Sequence, residues 1–284
     1  MAYIVSWLGW TPYVLSRDGL GVLDFQLPQV LGDSQLVGIM PGAYLGPLAS
    51  AFIVTAVTEG VEGLHQWRRR LFRWRVGWRW YVLVIVGIPA VILLGTLPVP
   101  GALASFQIPA AELLLSYALL LLIQFFTTGV AEEPGWRDFA LPRLQRRYGP
   151  LIGTFLLGLV WAGWHLPLFL TSWAGTEVDL LILGQFVLLA VILSIVITWV
   201  FNRTGQGLPL IILLHATFNN AGDVAVRAFF PGVAPAGSWG PAIGLGAFAL
   251  VLTVATRGRL GFEPGRFPPN STDGPHQSDT AHVG

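Results

Sequence analysis

Long apolar runs alternate with short polar breaks along the whole chain. Eight apolar segments can be drawn, near residues 3–16, 37–57, 81–101, 108–131, 150–172, 178–201, 208–229 and 240–256. Most reach the ~20 residues needed to cross ~30 Å of hydrocarbon at 1.5 Å per residue. The pattern therefore predicts an all-α fold, a polytopic transmembrane bundle of about eight helices. The first run is short enough to lie in the membrane interface instead. It has no basic n-region and no small-residue cleavage site, so it does not read as a removable signal peptide. Gly and Pro recur inside the runs, as in Val86-Gly87-Ile88-Pro89, a composition that transmembrane helices tolerate. No internal repeat is evident.

The polar breaks orient the bundle. Arg68, Arg69, Arg70, Arg73, Arg75 and Arg79 crowd the break between the second and third segments. Arg137, Arg143, Arg146 and Arg147 follow the fourth, Arg203 the sixth, and Arg257, Arg259 and Arg266 the eighth. If the segments alternate, all of these fall on one side and only Arg17 and Arg227 on the other. By the positive-inside bias the arginine-rich side is cytoplasmic, which puts both termini inside.

Composition adds the setting. Hydrophobic residues make up 54% and charged residues 11% of the chain, where a soluble domain carries about a quarter charged. All 16 basic residues are Arg, a bias that reads as bacterial and so suggests a cytoplasmic membrane. A net charge of +1 implies no acidic partner, and the absence of Cys excludes disulfides, thiolate metal sites and a Cys nucleophile. The break at 66–80 interleaves Arg with Trp67, Phe72, Trp74, Trp78 and Trp80. Beside a membrane span that mixture reads as an interfacial anchor on anionic lipid rather than a nucleic-acid contact. Residues 257–284 are rich in Pro, Gly, Ser and Asp, with little apolar content, and are expected to be a disordered tail. Its His276 and His282 lack ligand-like spacing.

Three polar clusters lie within or beside the apolar segments, where ionisable groups are costly and mark function. The first is Glu132-Glu133-Pro134-Gly135-Trp136-Arg137. On a helix Glu133 and Arg137 are i,i+4 neighbours and can pair, leaving Glu132, about 100° around, as the carboxylate available for proton transfer. Pro134 predicts a kink or helix break at this point. Alone, the cluster reads equally as an interfacial Arg–Glu pair. The second places Trp161 one turn before His165, so that the indole can orient the imidazole. The third stacks His215 and Asn219 on one helix face, as an oxyanion hole, a metal site or interhelical glue would require.

Taken together, Glu132-Glu133-x-x-x-Arg137, Trp161-x-x-x-His165 and His215-x-x-x-Asn219 on successive apolar segments resemble the CPBP family of intramembrane endopeptidases. That family of CAAX proteases and bacteriocin-processing enzymes includes the type II CAAX prenyl endopeptidases. Phe139-Ala140-Leu141-Pro142-Arg143-Leu144 is similar to the stretch that follows the family's first motif, and the resemblance spans roughly residues 110–225. Two positions depart from it: Asp138 stands where Gly is common, adding a charge where close packing is usual, and Trp161 stands where Phe is common.

The resemblance implies that Glu132 is a general base acting with His165 on a water molecule. It makes His215 and Asn219 the oxyanion hole, with Glu133, Arg137 and Trp161 as structural support. It also admits a metal-dependent reading in which Glu132, His165 and His215 hold zinc with an open position for water. The metal-free mechanism is favoured, and the His-Glu-x-x-His pair of soluble metalloproteases is absent. The implied partners are the lipid bilayer and a membrane-associated protein or peptide substrate. Residues 1–105 then form an N-terminal transmembrane part and 106–256 the catalytic membrane domain, with a conical cavity expected to open to the cytoplasm. A catalytically inactive scaffold or immunity protein of the same fold, and a proton-coupled transporter using the same residues, are the competing readings.

Overall fold

The computed structural model describes residues 1–175, 178–233 and 239–264. His276, His282 and the tail beyond residue 264 lie outside these. The protein is all-α, a polytopic bundle with no strand among the described residues. Each predicted apolar segment is a helix: α1 (Ala2–Leu15), α2 (Gln35–Leu71), α3 (Trp78–Thr96), α4 (Glu112–Tyr148), α5 (Pro150–Trp164), α6 (Leu180–Arg203), α7 (208–229) and α8 (Gly240–Ala255).

Five of them are long and apolar enough to cross a membrane among the described residues: α2, α3, α4, α5 with the 3₁₀ turn that follows it, and α6. That is fewer than the eight drawn from the sequence. Helix α1 has 14 residues and α8 has 16, while α7 carries His215, Asn219, Asn220 and Asp223 and loses hydropathy to them. Although short, α1 is packed into the bundle. Trp10 and Tyr13 are buried, and Trp10 Nε1–H donates to Ile39 O (2.8 Å) while Ser6 Oγ donates to Gly42 O (2.8 Å).

Several boundaries shift for local reasons. Helix α2 bends at Gly60, whose φ of 63° and ψ of −153° is a conformation that side chains with a Cβ resist. Beyond the bend the chain stays helical through Arg68–Arg70. The Arg/Trp-rich break expected at 66–80 is therefore a loop only over 72–77. Part of the segment expected as tail from 257 packs on the bundle. Leu260 is buried, and its carbonyl accepts from Asn202 Nδ2 at 2.9 Å, because one apolar residue closes the end of the bundle.

The largest departure is α4. The sequence ends its fourth segment near 131 and breaks it at Pro134, yet the helix continues to Tyr148. Two π-helical turns, Phe125–Gly129 and Pro134–Ala140, absorb the strain. A π turn shifts the hydrogen-bond register by one residue, which accommodates the N–H that Pro134 lacks. At 1.5 Å per residue α4 is about 55 Å long, with Glu132 near its middle. Glu132 therefore lies well inside the helix rather than at its end, where a segment boundary near 131 would put it. Gly135 lets α4 approach α2, since a Cβ there would stand 2.6 Å from Pro47 O.

The arginine-rich loops gather at one end of the bundle. Arg70 Nε and Nη2 bind the two oxygens of Asp138 (2.5 and 3.0 Å), Arg143 pairs with Glu59, and Arg73 Nη1 donates to Gly205 O (3.0 Å). Asp138 is thus paired despite its burial. At the opposite end Ser172 N–H donates to Asp18 O (2.7 Å) and Gln107 N–H to Phe229 O (2.9 Å).

Candidate active site

The three motifs converge. Glu132 and Glu133 sit on the short α-helical stretch Val130–Glu133 between the two π turns of α4. His165 is the residue on which α5 ends, with Pro167 in the 3₁₀ turn beyond. His215 and Asn219 are one turn apart on α7. Glu132, Glu133, Arg137, His165 and His215 are all buried.

Each catalytic candidate has an anchor. Trp161 Nε1–H donates to Glu132 Oε2 at 2.6 Å, and the same oxygen stands 4.0 Å from His165 Nε2. His165 Nδ1 lies 2.9 Å from the Trp161 carbonyl. A carbonyl only accepts, so Nδ1 carries the hydrogen and the neutral ring presents Nε2 as an acceptor. The ring is boxed by Trp164, Trp173 and Phe186, with centroids 4.6–5.6 Å away. Trp161 thus meets His165 twice, through its backbone carbonyl and through its indole, whose centroid is 5.5 Å from the imidazole, and it holds Glu132 as well.

The second carboxylate does more than the i,i+4 spacing suggests. Glu133 Oε2 faces Arg137 Nε at 3.4 Å, while Glu133 Oε1 meets His215 Nδ1 at 2.7 Å. Arg137 also lies over the Trp161 ring, its Cζ 4.5 Å from the centroid, and Nη2 donates to Ser194 Oγ at 3.4 Å. A fully buried cation is held by one carboxylate, one indole face and one hydroxyl. Glu133 links it to His215.

Asn219 brings in residues that the motifs do not contain. Its Nδ2 donates to Gln124 Oε1 at 3.4 Å, and Thr128 Oγ1 donates to the same oxygen at 2.6 Å. The amide nitrogen has two hydrogens, so one remains for a ligand. Gln124 precedes Glu132 by eight residues, which ordinary helical spacing would turn off the Glu132 face. The π turn at 125–129 takes up one residue and returns it to near an i,i+7 relation. The sequence signal for Gln124 was a lone amide in an apolar run.

These groups line one cavity of about 950 Å³, shared by Glu132, Trp161, His165, His215 and Asn219. Its walls run outward along α2 from Ala43 to Gln35, along α4 from Glu132 to Leu113, and along α7 from His215 to Ala228. All three lead away from the arginine-rich end. The sequence expects the cavity to open to the cytoplasm; its lining leads away from the arginine-rich end, where Trp136, Arg137 and Leu141 are buried on the α4 side.

Residues 113–221 match the type II CAAX prenyl endopeptidase Rce1-like family. The chain is also 26% identical over 197 residues to the CAAX prenyl protease 2 of Methanococcus maripaludis, covering 64% of this chain and 69% of that protein. All three motifs fall inside the matched segment. The segment that carries the motifs is thus similar to the CAAX proteases of the CPBP family. These matches and the long apolar helices support an integral membrane protein of the CAAX-type intramembrane protease kind.

As they stand, the donors do not fit zinc. Tetrahedral zinc at about 2.0–2.1 Å from its nitrogen and oxygen ligands keeps them about 3.3 Å apart, whereas His165 Nε2 and Glu132 Oε2 are 4.0 Å apart. Among the described residues no three His, Asp or Glu side chains form a metal-holding group.

Proposed function

We propose that this protein is an intramembrane endopeptidase that hydrolyses a peptide bond of a membrane-associated protein or peptide with a water activated by Glu132 and His165. The supporting observation is the 4.0 Å gap between Glu132 Oε2 and His165 Nε2 at the inner end of the cavity. A water about 2.8 Å from both atoms makes hydrogen bonds of normal length. Glu132 takes one proton as the water oxygen attacks the carbonyl carbon, and His165 Nε2 accepts from the other hydrogen and aims the lone pair. Trp161 keeps the carboxylate facing the imidazole.

The developing oxyanion is received by His215 and Asn219. The Glu133 carboxylate behind His215 Nδ1 stabilises positive charge on the ring, as an acid behind a catalytic imidazole does, so Nε2–H serves as donor. Asn219 Nδ2 supplies a second donor. Collapse of the tetrahedral intermediate breaks the C–N bond, and the proton held by Glu132 passes to the leaving amine.

Leu36, Ile39, Met40, Leu120 and Ile123 line the approach. Such a wall accepts an apolar segment whether or not it is prenylated, as the archaeal relative's name describes for that protein. The test compares the termini of membrane proteins in cells expressing the wild type or Glu132→Gln. Termini that appear only with the wild type identify substrates; identical sets would remove Glu132 from the chemistry.

A further inference from the structure

We infer that the catalytic cavity takes its substrate from the non-cytoplasmic side of the membrane, so that the scissile segment belongs to an exported, membrane-anchored protein or peptide. This rests on the protease reading for the word substrate, but the direction of access stands on geometry and charge alone.

The first observation is the course of the cavity. From Glu132 and His215 its walls follow three helices toward Gln35, Leu113 and Ala228, and the loop residues Val30, Leu31 and Asp33 form the rim. Glu132 to Leu113 is about 28 Å of helix, nearly the thickness of a bilayer's apolar core. In the other direction the path is filled. Trp136, Arg137 and Leu141 are buried between the site and the arginine-rich loops, and Asp138 is clamped by Arg70.

The second observation is independent of the first. Arginines of three separate segments lie at the filled end, joined by contacts across it, and the segment with Arg257 and Arg259 joins them where Asn202 Nδ2–H donates to Leu260 O. Among the described residues the arginines at the cavity end are Arg17 and Arg227; Arg17 is paired with Asp24, and Arg227 has Asp223 one turn before it. Asp18, Asp33, Glu112 and Asp179 share that end. Arginine excess near span ends marks the cytoplasmic side, and acidic residues contribute little to that choice. The filled end is therefore cytoplasmic and the open end faces out. A substrate reaching the cavity from there has already crossed, or been inserted into, the membrane.

The chain has no Cys, so single-Cys variants report access directly, and no cleavage assay is needed. Phe72→Cys marks the arginine-rich end and Leu20→Cys the other; both native side chains are exposed. Leu31→Cys marks the rim and Leu120→Cys the cavity wall. A membrane-impermeant maleimide applied to intact cells should label Leu20→Cys, Leu31→Cys and Leu120→Cys and leave Phe72→Cys unlabelled until the membrane is opened. Labelling of Phe72→Cys in intact cells, with Leu31→Cys and Leu120→Cys silent, would overturn the inference. Labelling of Leu20→Cys but not Leu120→Cys, before or after opening the membrane, would show that the cavity is not an entry path and would overturn it equally. If Glu132→Gln cleaves as the wild type does while the labelling holds, the protease reading fails and the orientation stands.

Discussion

Glu133→Gln isolates the residue that joins the buried cation to the proposed oxyanion hole. Both Glu133 and Arg137 are 0% exposed, so removing the negative charge leaves an uncompensated guanidinium. Breaking a buried pair in this way costs about 3–5 kcal/mol. The Trp161 face and Ser194 hydroxyl already hold Arg137 in the wild type, so they offset none of that loss. The substituted amide still offers its oxygen to His215 Nδ1–H, which preserves the ring's tautomer but not the charge behind it. Arg137→Met removes the cation while keeping an apolar stem, and the double variant contains no unpaired charge. Stability should therefore fall in Glu133→Gln and largely return in Glu133→Gln/Arg137→Met. Cleavage should stay at least about 10²-fold down in both, as for a lost oxyanion donor. Unfolding in detergent, followed alongside cleavage rate, reads the two separately. A single variant within about 1 kcal/mol of wild type, or a double variant that recovers cleavage, would refute the linkage.

The remaining expectations concern the other site residues. Glu132→Gln should abolish cleavage with stability changed by less than about 1 kcal/mol, because its amide oxygen still accepts from Trp161; Glu132→Ala should cost about 1–3 kcal/mol more by orphaning that indole N–H. Asn219→Ala should lower turnover by about 10²–10³ with substrate affinity nearly unchanged, as single-turnover and binding measurements would show; unchanged turnover would exclude it as a donor. Dialysis against a strong chelator should leave activity intact. Stoichiometric zinc lost with activity and restored with it would instead make Glu132, His165 and His215 ligands that close together on binding.

Much of this architecture was legible because hydrophobicity and motif spacing are local. The apolar runs fixed where helices form, and the pairing of Glu133 with Arg137 follows from one turn of helix. What escaped was set by non-local contact. Pro134 reads as a break because local rules forbid it in an α-helix, and only the π turn made possible by packing carries α4 through to Tyr148. Gln124 was hidden for the same reason, since the π turn at 125–129 changes which residues share a face. The bond from Glu133 to His215 spans 82 positions, beyond any periodicity. The direction of the cavity is a different case. The arginines did gather at one end, but the sequence says nothing about which end the cavity leaves.

The charges at the centre are difficult to explain by stability alone. Glu133 Oε2 and Arg137 Nε and Nη1 are buried without a hydrogen-bond partner, although the first two face each other at 3.4 Å. A cluster of well-packed apolar side chains would often be neutral or more stable than such a pair. What it could not supply is a negative charge 2.7 Å behind His215 Nδ1, held in place from one side by Arg137 under the Trp161 ring. Trp161 in turn holds Glu132, so a single indole braces both carboxylates, one through its N–H and the other through the cation on its face. That mutual dependence ties the geometry of the proposed water site to the buried pair beside it, on a helix that Pro134 carries through a π turn.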